Sequence, residues 1–330
     1  MIIETFIRLW AIALIIGAFI PYMREQTWWL RAWTYARLQM FVMCSLSALL
    51  FLFLPGLESL FDKTIWALLI FSALGCIKDV LPFTTLGYKH TPDHQSGEVH
   101  IPLRLMVGNV LMENTDYEDY LSQIKRVSPD ILFLVETNDV WRDKLSELED
   151  VYPYTYMLPL ADFNGMLFYS RYPILNVQER YLVQDHIPSL TFDLDVGHTE
   201  PMRFYGVHPR PPRPEDDTAD LDKELSFIAN ECGHLGAPVI VTGDLNDVGW
   251  SSTTKKFLRV SGLLDPRHGR GLYNSYNAKN PIVRWPLDHV FHSKHFSLID
   301  MEKLKSCGSD HFPLLIHFAL HDPASENIGA

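Results

Sequence analysis

Three long apolar runs fill the first quarter of the chain, and they limit its folding more than any other feature. They are about Phe6–Tyr22 (FIRLWAIALIIGAFIPY), Leu38–Leu54 (LQMFVMCSLSALLFLFL) and Ile65–Phe83 (IWALLIFSALGCIKDVLPF). Each approaches the roughly 20 residues a helix needs to cross a bilayer, where a helix satisfies its own backbone hydrogen bonds. One such run in a soluble protein is a buried helix. Three in succession, joined by aromatic-rich loops, predict a membrane region over residues 1–83 with spans at about 6–22, 38–54 and 65–83. The first run has neither a basic leader nor a small-residue cleavage site, so it does not read as a signal peptide. Trp28, Trp29, Trp33 and Tyr35, with Arg24, Arg31 and Arg37, have the aromatic and basic character of a membrane–water interface.

Residues 84–102 (TTLGYKHTPDHQSGEVHIP) are polar and aperiodic, and read as a linker. Residues 103–320 have the composition of a globular domain, and 321–330 that of a frayed tail. Residues 1–100 hold seven basic and seven acidic side chains, so the net charge of −12 belongs wholly to the rest of the chain. A duplex-DNA binder usually carries a basic face, and no basic run occurs here. Of the four cysteines, Cys44 and Cys76 fall inside apolar runs and Cys232 and Cys307 in the domain. No CxxC spacing is present, so a zinc site of that type is unsupported. A Cys232–Cys307 pair has no positive evidence.

Within the domain, Leu103–Asn109 alternates and stops at a polar residue, as a strand does. Thr115–Glu118 matches a capping box, followed by Tyr117, Tyr120, Leu121, Ile124 and Val127 at helical spacing. Ile131–Val135 is a strand buried on both faces, and Thr137 or Asn138 can cap the next helix, to about Leu148. Further strands are expected at 165–170, 173–183, 190–196, 202–207, 238–242, 287–292 and 313–320, with a helix over 215–231. Strands outnumber helices. The pattern predicts an α/β (α+β) four-layer sandwich, two mixed sheets face to face with helices outside, preceded by the helical membrane region.

Short polar strings end several of these strands: Gly108-Asn109, Glu136-Thr137-Asn138, His208-Pro209, Gly243-Asp244-Leu245-Asn246, Leu287-Asp288-His289 and Ser309-Asp310-His311. Strand ends are where such a fold gathers its chemistry. Carboxylates, amides and imidazoles suit a hard divalent cation and a phosphate ester. Asp244 and Asn246 point the same way if the backbone stays extended, and can orient a water molecule; the same string is equally good turn chemistry. Glu136 must be paired, metal-bound or solvated, or it caps the next helix. With Asn109 it offers oxygen ligands from adjacent strand ends. Asp288 can hold an imidazole in one tautomer, whereas His289 can simply point the other way into a packing position. His208-Pro209-Arg210-Pro211-Pro212-Arg213 is a rigid loop whose arginines can grip a phosphate, or a solvated proline-rich loop.

The order of these strings over about residues 103–320 resembles the endonuclease/exonuclease/phosphatase superfamily, the deoxyribonuclease I-like fold, in its bacterial membrane-anchored form with three N-terminal transmembrane helices. Val135 stands where the family often has Gln, and Gly108 where many of its nucleases carry Trp. The resemblance implies that Glu136, Asn109 and Asp310 hold Mg²⁺ or Mn²⁺. It implies that Asp244, helped by Asn246, activates water, and that His208 and His311, the latter oriented by Asp288, stabilise charge or protonate the leaving oxygen. Asn164, before Gly165, resembles a phosphate-contacting position, to which Arg210 and Arg213 are added.

The implied activity is a membrane-anchored, metal-dependent phosphoesterase cleaving a phosphodiester or phosphomonoester. The alternatives are a nuclease acting on DNA or RNA, and an inactive binding protein on the same fold. Its partners are then a lipid, small-molecule or nucleic-acid phosphate ester and the bilayer itself; no protein partner is inferable. The expected location is the cell membrane, multi-pass. Arg24, Arg31 and Arg37 in the first loop, against Lys63 in the second, would place the domain in the cytoplasm by the positive-inside rule. The resemblance favours an outward-facing domain, and the reading leans that way.

Overall fold

The computed structural model describes residues 2–23, 27–97, 100–211 and 219–321. The chain forms an N-terminal unit running to Tyr88 and a larger unit built from Lys89–Pro211 and the residues from Asp220 onward.

The N-terminal unit contains helices α1 (Ile2–Phe19), α2 (Trp28–Tyr35), α3 (Arg37–Phe51) and α4 (Leu60–Val80). Small side chains, among them Ala11, Ala18, Cys44, Ala48, Ala73 and Cys76, lie in the core of this unit. Small residues let helix backbones approach closely, which is how helices associate where lipid removes the hydrophobic drive. Phe6, Leu9, Leu46, Phe71 and Leu74 are exposed. Ser59 caps α4, accepting from the Asp62 backbone N–H at 3.0 Å, and Arg8 Nε lies 2.8 Å from Asp62 Oδ1. Arg37, almost wholly buried, pairs with Asp79 at 3.1 Å and donates to the Ala18 carbonyl at 2.7 Å. Among the described residues, two stretches, Ile2–Tyr22 and Leu60–Phe83, are long and apolar enough to cross a membrane. There are three if α2 and α3, bent by 68°, count as one span. Arg24 lies outside the described residues.

The larger unit holds strands β1 (Ile101–Asn109), β2 (Ile131–Val135), β3 (Tyr154–Leu158), β4 (Met166–Ser170), β5 (Ile174–Arg180), β6 (Ser189–Leu194), β7 (Met202–Gly206), β8 (Val239–Asp244), β9 (Asp288–His292), β10 (Phe296–Lys303) and β11 (Leu314–Leu320). Its helices are α5 (Tyr117–Val127), α6 (Asp139–Lys144), α7 (Ala219–Cys232) and α8 (Ser252–Ser261). One sheet runs β10-β11-β1-β2-β4-β3 and the other β5-β6-β7-β8-β9. The period-two alternation explains the layering. In β2, Ile131, Phe133 and Val135 belong to the core that also holds Phe192, Phe204 and Ile240 of the other sheet, whereas Leu132 and Leu134 pack with Tyr120, Ile124 and Trp141 of α5 and α6. On the second sheet Val239, Val241 and Phe291 face α7 and α8. The predicted two-sheet, four-layer architecture is the observed one.

Among the described residues of this unit, two strands and one α-helix fall outside the predicted set: β3, β10 and α8. β3 (YTYML) is an edge strand with its side chains half exposed, so it lacks both an apolar run and a clean alternation. β10 carries polar residues and a register shift between Leu298 and Asp300. α8 is polar overall and rests on its Ser251 cap, which accepts from Thr254 N–H. Part of the segment read as a linker lies against the larger unit: Asp93 bridges Leu298, and Thr91 Oγ1 sits 2.7 Å from His292 Nε2. Cys232 lies in the core beneath α7 and Cys307 in that beneath α5, and all four cysteines are free.

Pairing directions decide where the polar strings meet. β1 and β2 are parallel, as are β7 and β8, so all four end in the same direction within their sheets. β9 runs antiparallel to β8, with Asp288 opposite Asp244. β11 runs antiparallel to β1, with Leu314 opposite Val107, which brings the 309–313 turn to the end of β1. Gly206 has the Phe133 ring where a Cβ would stand, 2.6 Å away, so the two sheets approach closely there.

Candidate active site

Asn109 is the hub of the site. It continues the inward-facing set of β1 (Leu103, Leu105, Val107) beyond the last apolar layer, and its amide nitrogen donates to Glu136 Oε1 at 2.7 Å and to Asp244 Oδ2 at 3.0 Å. Its oxygen accepts from the Leu111 backbone N–H at 2.9 Å. Expected as an oxygen ligand, Asn109 here joins two carboxylates, one from each sheet, through its N–H groups.

Glu136 reaches this point through an unusual backbone. Val135 faces the inter-sheet core, so regular alternation would turn Glu136 away. A φ of 59° redirects the chain, a conformation that costs a non-glycine residue on the order of 1–3 kcal/mol. Beside it, a Cβ on Gly165 would stand 1.8 Å from the Thr137 carbonyl, so only glycine permits this close pairing. Gly108 is explained the same way: a Cβ there would lie 2.1 Å from the Tyr120 hydroxyl. Tyr120 of α5 thus occupies the space above this position.

Asp244 is buried at the end of β8. His311 Nε2 is 3.5 Å from its Oδ2, and His208 Nε2 is 4.0 Å from the same oxygen and 3.8 Å from Glu136 Oε1. His311 Nδ1 lies 2.7 Å from Asp288 Oδ2. Among the described residues two groups of potential ligands result, Glu136–His208–Asp244 and Asp244–Asp288–His311, sharing Asp244. Burial pulls the His311 pKa down, but the Asp288 and Asp244 carboxylates outweigh it and raise it to about 10. Burial would lift Asp244, yet His311, His208 and the Asn109 N–H hold it below its ordinary value. Burial raises Glu136, against the opposing pull of His208 and Asn109.

Ser309 fixes the last loop, donating to the Asn109 carbonyl at 2.8 Å while its oxygen accepts from His311 N–H at 2.9 Å. Tyr276, which carries no signal in the sequence, stands with its ring centroid 5.0 Å from that of His311 and is stacked on Trp285. Asn164 is buried, and its Nδ2 has no hydrogen-bond partner. His208 is also buried, and neither ring nitrogen is hydrogen-bonded to the described residues. Buried polar atoms of this kind are normally satisfied; the His208 ring, within 4.0 Å of both carboxylates, marks a place built to receive another group.

Two expectations, for Asn246 and Asp310, differ from the structure. Asn246 has φ 48° and gives its amide nitrogen to the Pro209 carbonyl at 3.0 Å, while its backbone N–H bonds Asp244 Oδ1 at 2.9 Å. The chain turns at this point, so Asn246 ties down the 208–210 loop and does not point alongside Asp244. Asp310 belongs to neither ligand group among the described residues; its neighbour His311 faces inward. His289 alternates to the outer face, bonded to Arg267 and the Asp247 carbonyl. Burial and Arg267 push its pKa down to about 3. Arg210 is half-buried, and Arg213 lies outside the described residues.

The donor set fits a hard divalent cation: a buried carboxylate, Asp244, and a half-buried one, Glu136, share one amide, and imidazoles oppose their charge. Sequence comparison agrees with this chemistry. Residues 106–311 match the Endonuclease/Exonuclease/phosphatase family, and the chain belongs to that family. A "UPF0294 protein" of Vibrio campbellii is 29% identical over 109 residues, 32% of this chain and 36% of that protein, so the match spans about a third of the relative's length. Among solved structures, an endonuclease/exonuclease/phosphatase from Beutenbergia cavernae is similar with a TM-score of 0.53 at 17% identity, covering 67% of this chain and 72% of the other. TDP2 from C. elegans reaches a TM-score of 0.55 at 14% identity over 87% of this chain and 93% of that one. D. rerio TDP2, solved with a single-strand DNA product, reaches 0.52 at 16% identity, covering 66% and 98%. These likenesses establish the shared fold.

Proposed function

We propose that the chain is a membrane-anchored phosphoesterase that hydrolyses a phosphodiester by in-line attack of water, with Mg²⁺ or Mn²⁺ as its resident cofactor. The observation that carries this reading is the meeting of Glu136, Asp244, His208 and His311 around the Asn109 amide at one end of the sandwich. Glu136 would hold the cation, with Asp244 the nearest second carboxylate. Bound there, the cation would supply Lewis-acid stabilisation of the phosphoryl oxygens.

Asp244, kept ionised by its imidazole neighbours, orients the attacking water and accepts its proton as the new bond forms. His311 stays an imidazolium at neutral pH because Asp288 holds its Nδ1 proton. Its Nε2–H is therefore a charged donor to the oxygen on which negative charge develops. His208 and the Asn164 amide offer further donors to phosphoryl oxygens, and Arg210 stands in the loop after His208.

The acidity of the domain disfavours bulk DNA, and the apolar helices would keep the site near a bilayer. A lipid-type or small phosphodiester is therefore ranked above nucleic acid, and an outward-facing domain above a cytoplasmic one. The test uses the purified full chain in detergent with Mg²⁺, Mn²⁺ or EDTA. Its substrates are bis(p-nitrophenyl) phosphate, phospholipid vesicles and short single-stranded DNA. Asp244→Asn and His311→Ala are expected to abolish hydrolysis with the fold intact. Near-normal turnover by either variant sinks the assignment. Product release from the DNA alone would replace the lipid reading with a nuclease. A C-terminal reporter fusion decides which side of the membrane the domain faces.

A further inference from the structure

Behind Asp288, on the outer face of the same sheet, lies a buried charged network that no step above uses. Arg267, Asp265 and His289 are at most 1% exposed. The Arg267 guanidinium donates to the Asp265 carboxylate through Nε at 2.9 Å and Nη2 at 2.7 Å. The same guanidinium reaches the carbonyls of Pro286 at 3.3 Å and Asp288 at 3.4 Å through Nη1, and His289 Nδ1 at 2.7 Å through Nη2. A guanidinium only donates, so His289 Nδ1 accepts. The ring proton is then on Nε2, which donates to the Asp247 carbonyl at 2.9 Å.

Both ends of this chain of bonds are backbone of the site. Asp247 belongs to the turn that Asp244 opens, and Asp288 carries the carboxylate that holds His311. A buried ion pair is weak evidence for stability, since apolar residues of the same volume often serve as well. What this one supplies is geometry, because a single planar group fixes several acceptors at once. We infer that Asp265, Arg267 and His289 act as a positioning relay, locking the Asp244 turn to the Asp288 strand end so that Asp244 and His311 keep their separation. The catalytic consequence rests on the phosphoesterase reading; the mechanical one does not.

The test uses the full chain in detergent, with bis(p-nitrophenyl) phosphate as the probe. Arg267→Lys keeps a charge for Asp265 but cannot reach His289 and two carbonyls in one plane. His289→Phe keeps the ring volume and removes both bonds, while His289→Gln retains a donor for Asp247. Arg267→Lys and His289→Phe are each expected to lower kcat at least tenfold with KM within twofold, and His289→Gln to recover part of the loss. The double variant should be no worse than the poorer single one, because both break one chain of bonds. Hydrogen exchange read by mass spectrometry should rise in both 244–248 and 286–290. Normal kcat in Arg267→Lys and His289→Phe, additive losses, or a rise confined to 265–271 would overturn the relay. If the wild-type chain leaves the diester, phospholipid vesicles and single-stranded DNA all intact with both metals, the phosphoesterase reading fails, and the exchange pattern alone still decides the relay. If Arg267→Lys does not fold, the pair His289→Phe and His289→Gln carries the same comparison.

Discussion

Replacing Asp288 by Asn changes the charge behind His311 with little change in shape. Asp288 Oδ2 accepts from His311 Nδ1 at 2.7 Å, and an Asn oxygen can occupy the same place as a neutral acceptor. Burial alone lowers the His311 pKa, and Asp288 is the largest of the charges that raise it to about 10. Without that charge the imidazolium falls back toward the ordinary histidine value of about 6.5, with Asp244 and Asp310 still opposing burial. At pH 7.5 the protonated fraction then drops from near unity toward about a tenth. General acid and charged-donor assistance contributes roughly 10²–10⁴-fold in rate, so most of that factor should be lost at pH 7.5 and part of it recovered at pH 5.5. The assay is kcat for bis(p-nitrophenyl) phosphate from pH 5 to 10.5, with thermal unfolding as a check on the fold. In wild type the limb that requires protonated His311 should fall only as pH nears 10; in Asp288→Asn it should fall two or more units earlier. An unchanged limb with turnover within threefold of wild type would refute the claim that Asp288 sets the charge state of His311.

Three further outcomes follow from the same geometry. In the metal-free chain, His311 binds its proton more tightly folded than unfolded. It therefore contributes stability that is fully present below about pH 6.5 and is lost as pH rises toward about 10. The melting temperature of wild type should fall faster than that of His311→Gln between pH 7 and 10, and parallel curves would contradict this. Gly206→Ala places a Cβ 2.6 Å from the Phe133 ring; overpacking of this kind costs about 1–3 kcal/mol, read as a lowered melting temperature with the secondary structure unchanged. Saturating Mg²⁺ or Mn²⁺ should raise the melting temperature of wild type by linkage and leave Glu136→Gln unmoved, whereas equal stabilisation of both would remove Glu136 from the metal site.

Much of the site was legible before the tertiary structure because its residues end strands whose apolar runs are unmistakable. Val135 and Val241 announce buried strands, and the polar residues after them have to be satisfied by something. That Asp288 and His289 face opposite ways follows from the two-residue period alone, once the strand is recognised. Asn246 was harder, because its orientation depends on whether the chain stays extended past Asp244, and a left-handed φ turns it toward Pro209. Tyr276 and Arg267 were invisible, since each acts across a loop whose path nothing local dictates. Edge strands β3 and β10 escaped because partial exposure erases the alternation on which strand recognition depends.

The sequence by itself determined the division into apolar helices and an acidic sandwich, the order of the polar strings and the kind of chemistry they suit. These are local properties, written in side-chain type and spacing. The tertiary structure alone decided that Asn109 joins Glu136 to Asp244, that His311 is held charged by Asp288, and that a buried arginine links two strand ends. Those facts depend on strand direction, register and the approach of two sheets. Asn109 and Asp244, for example, meet across 135 positions of the chain.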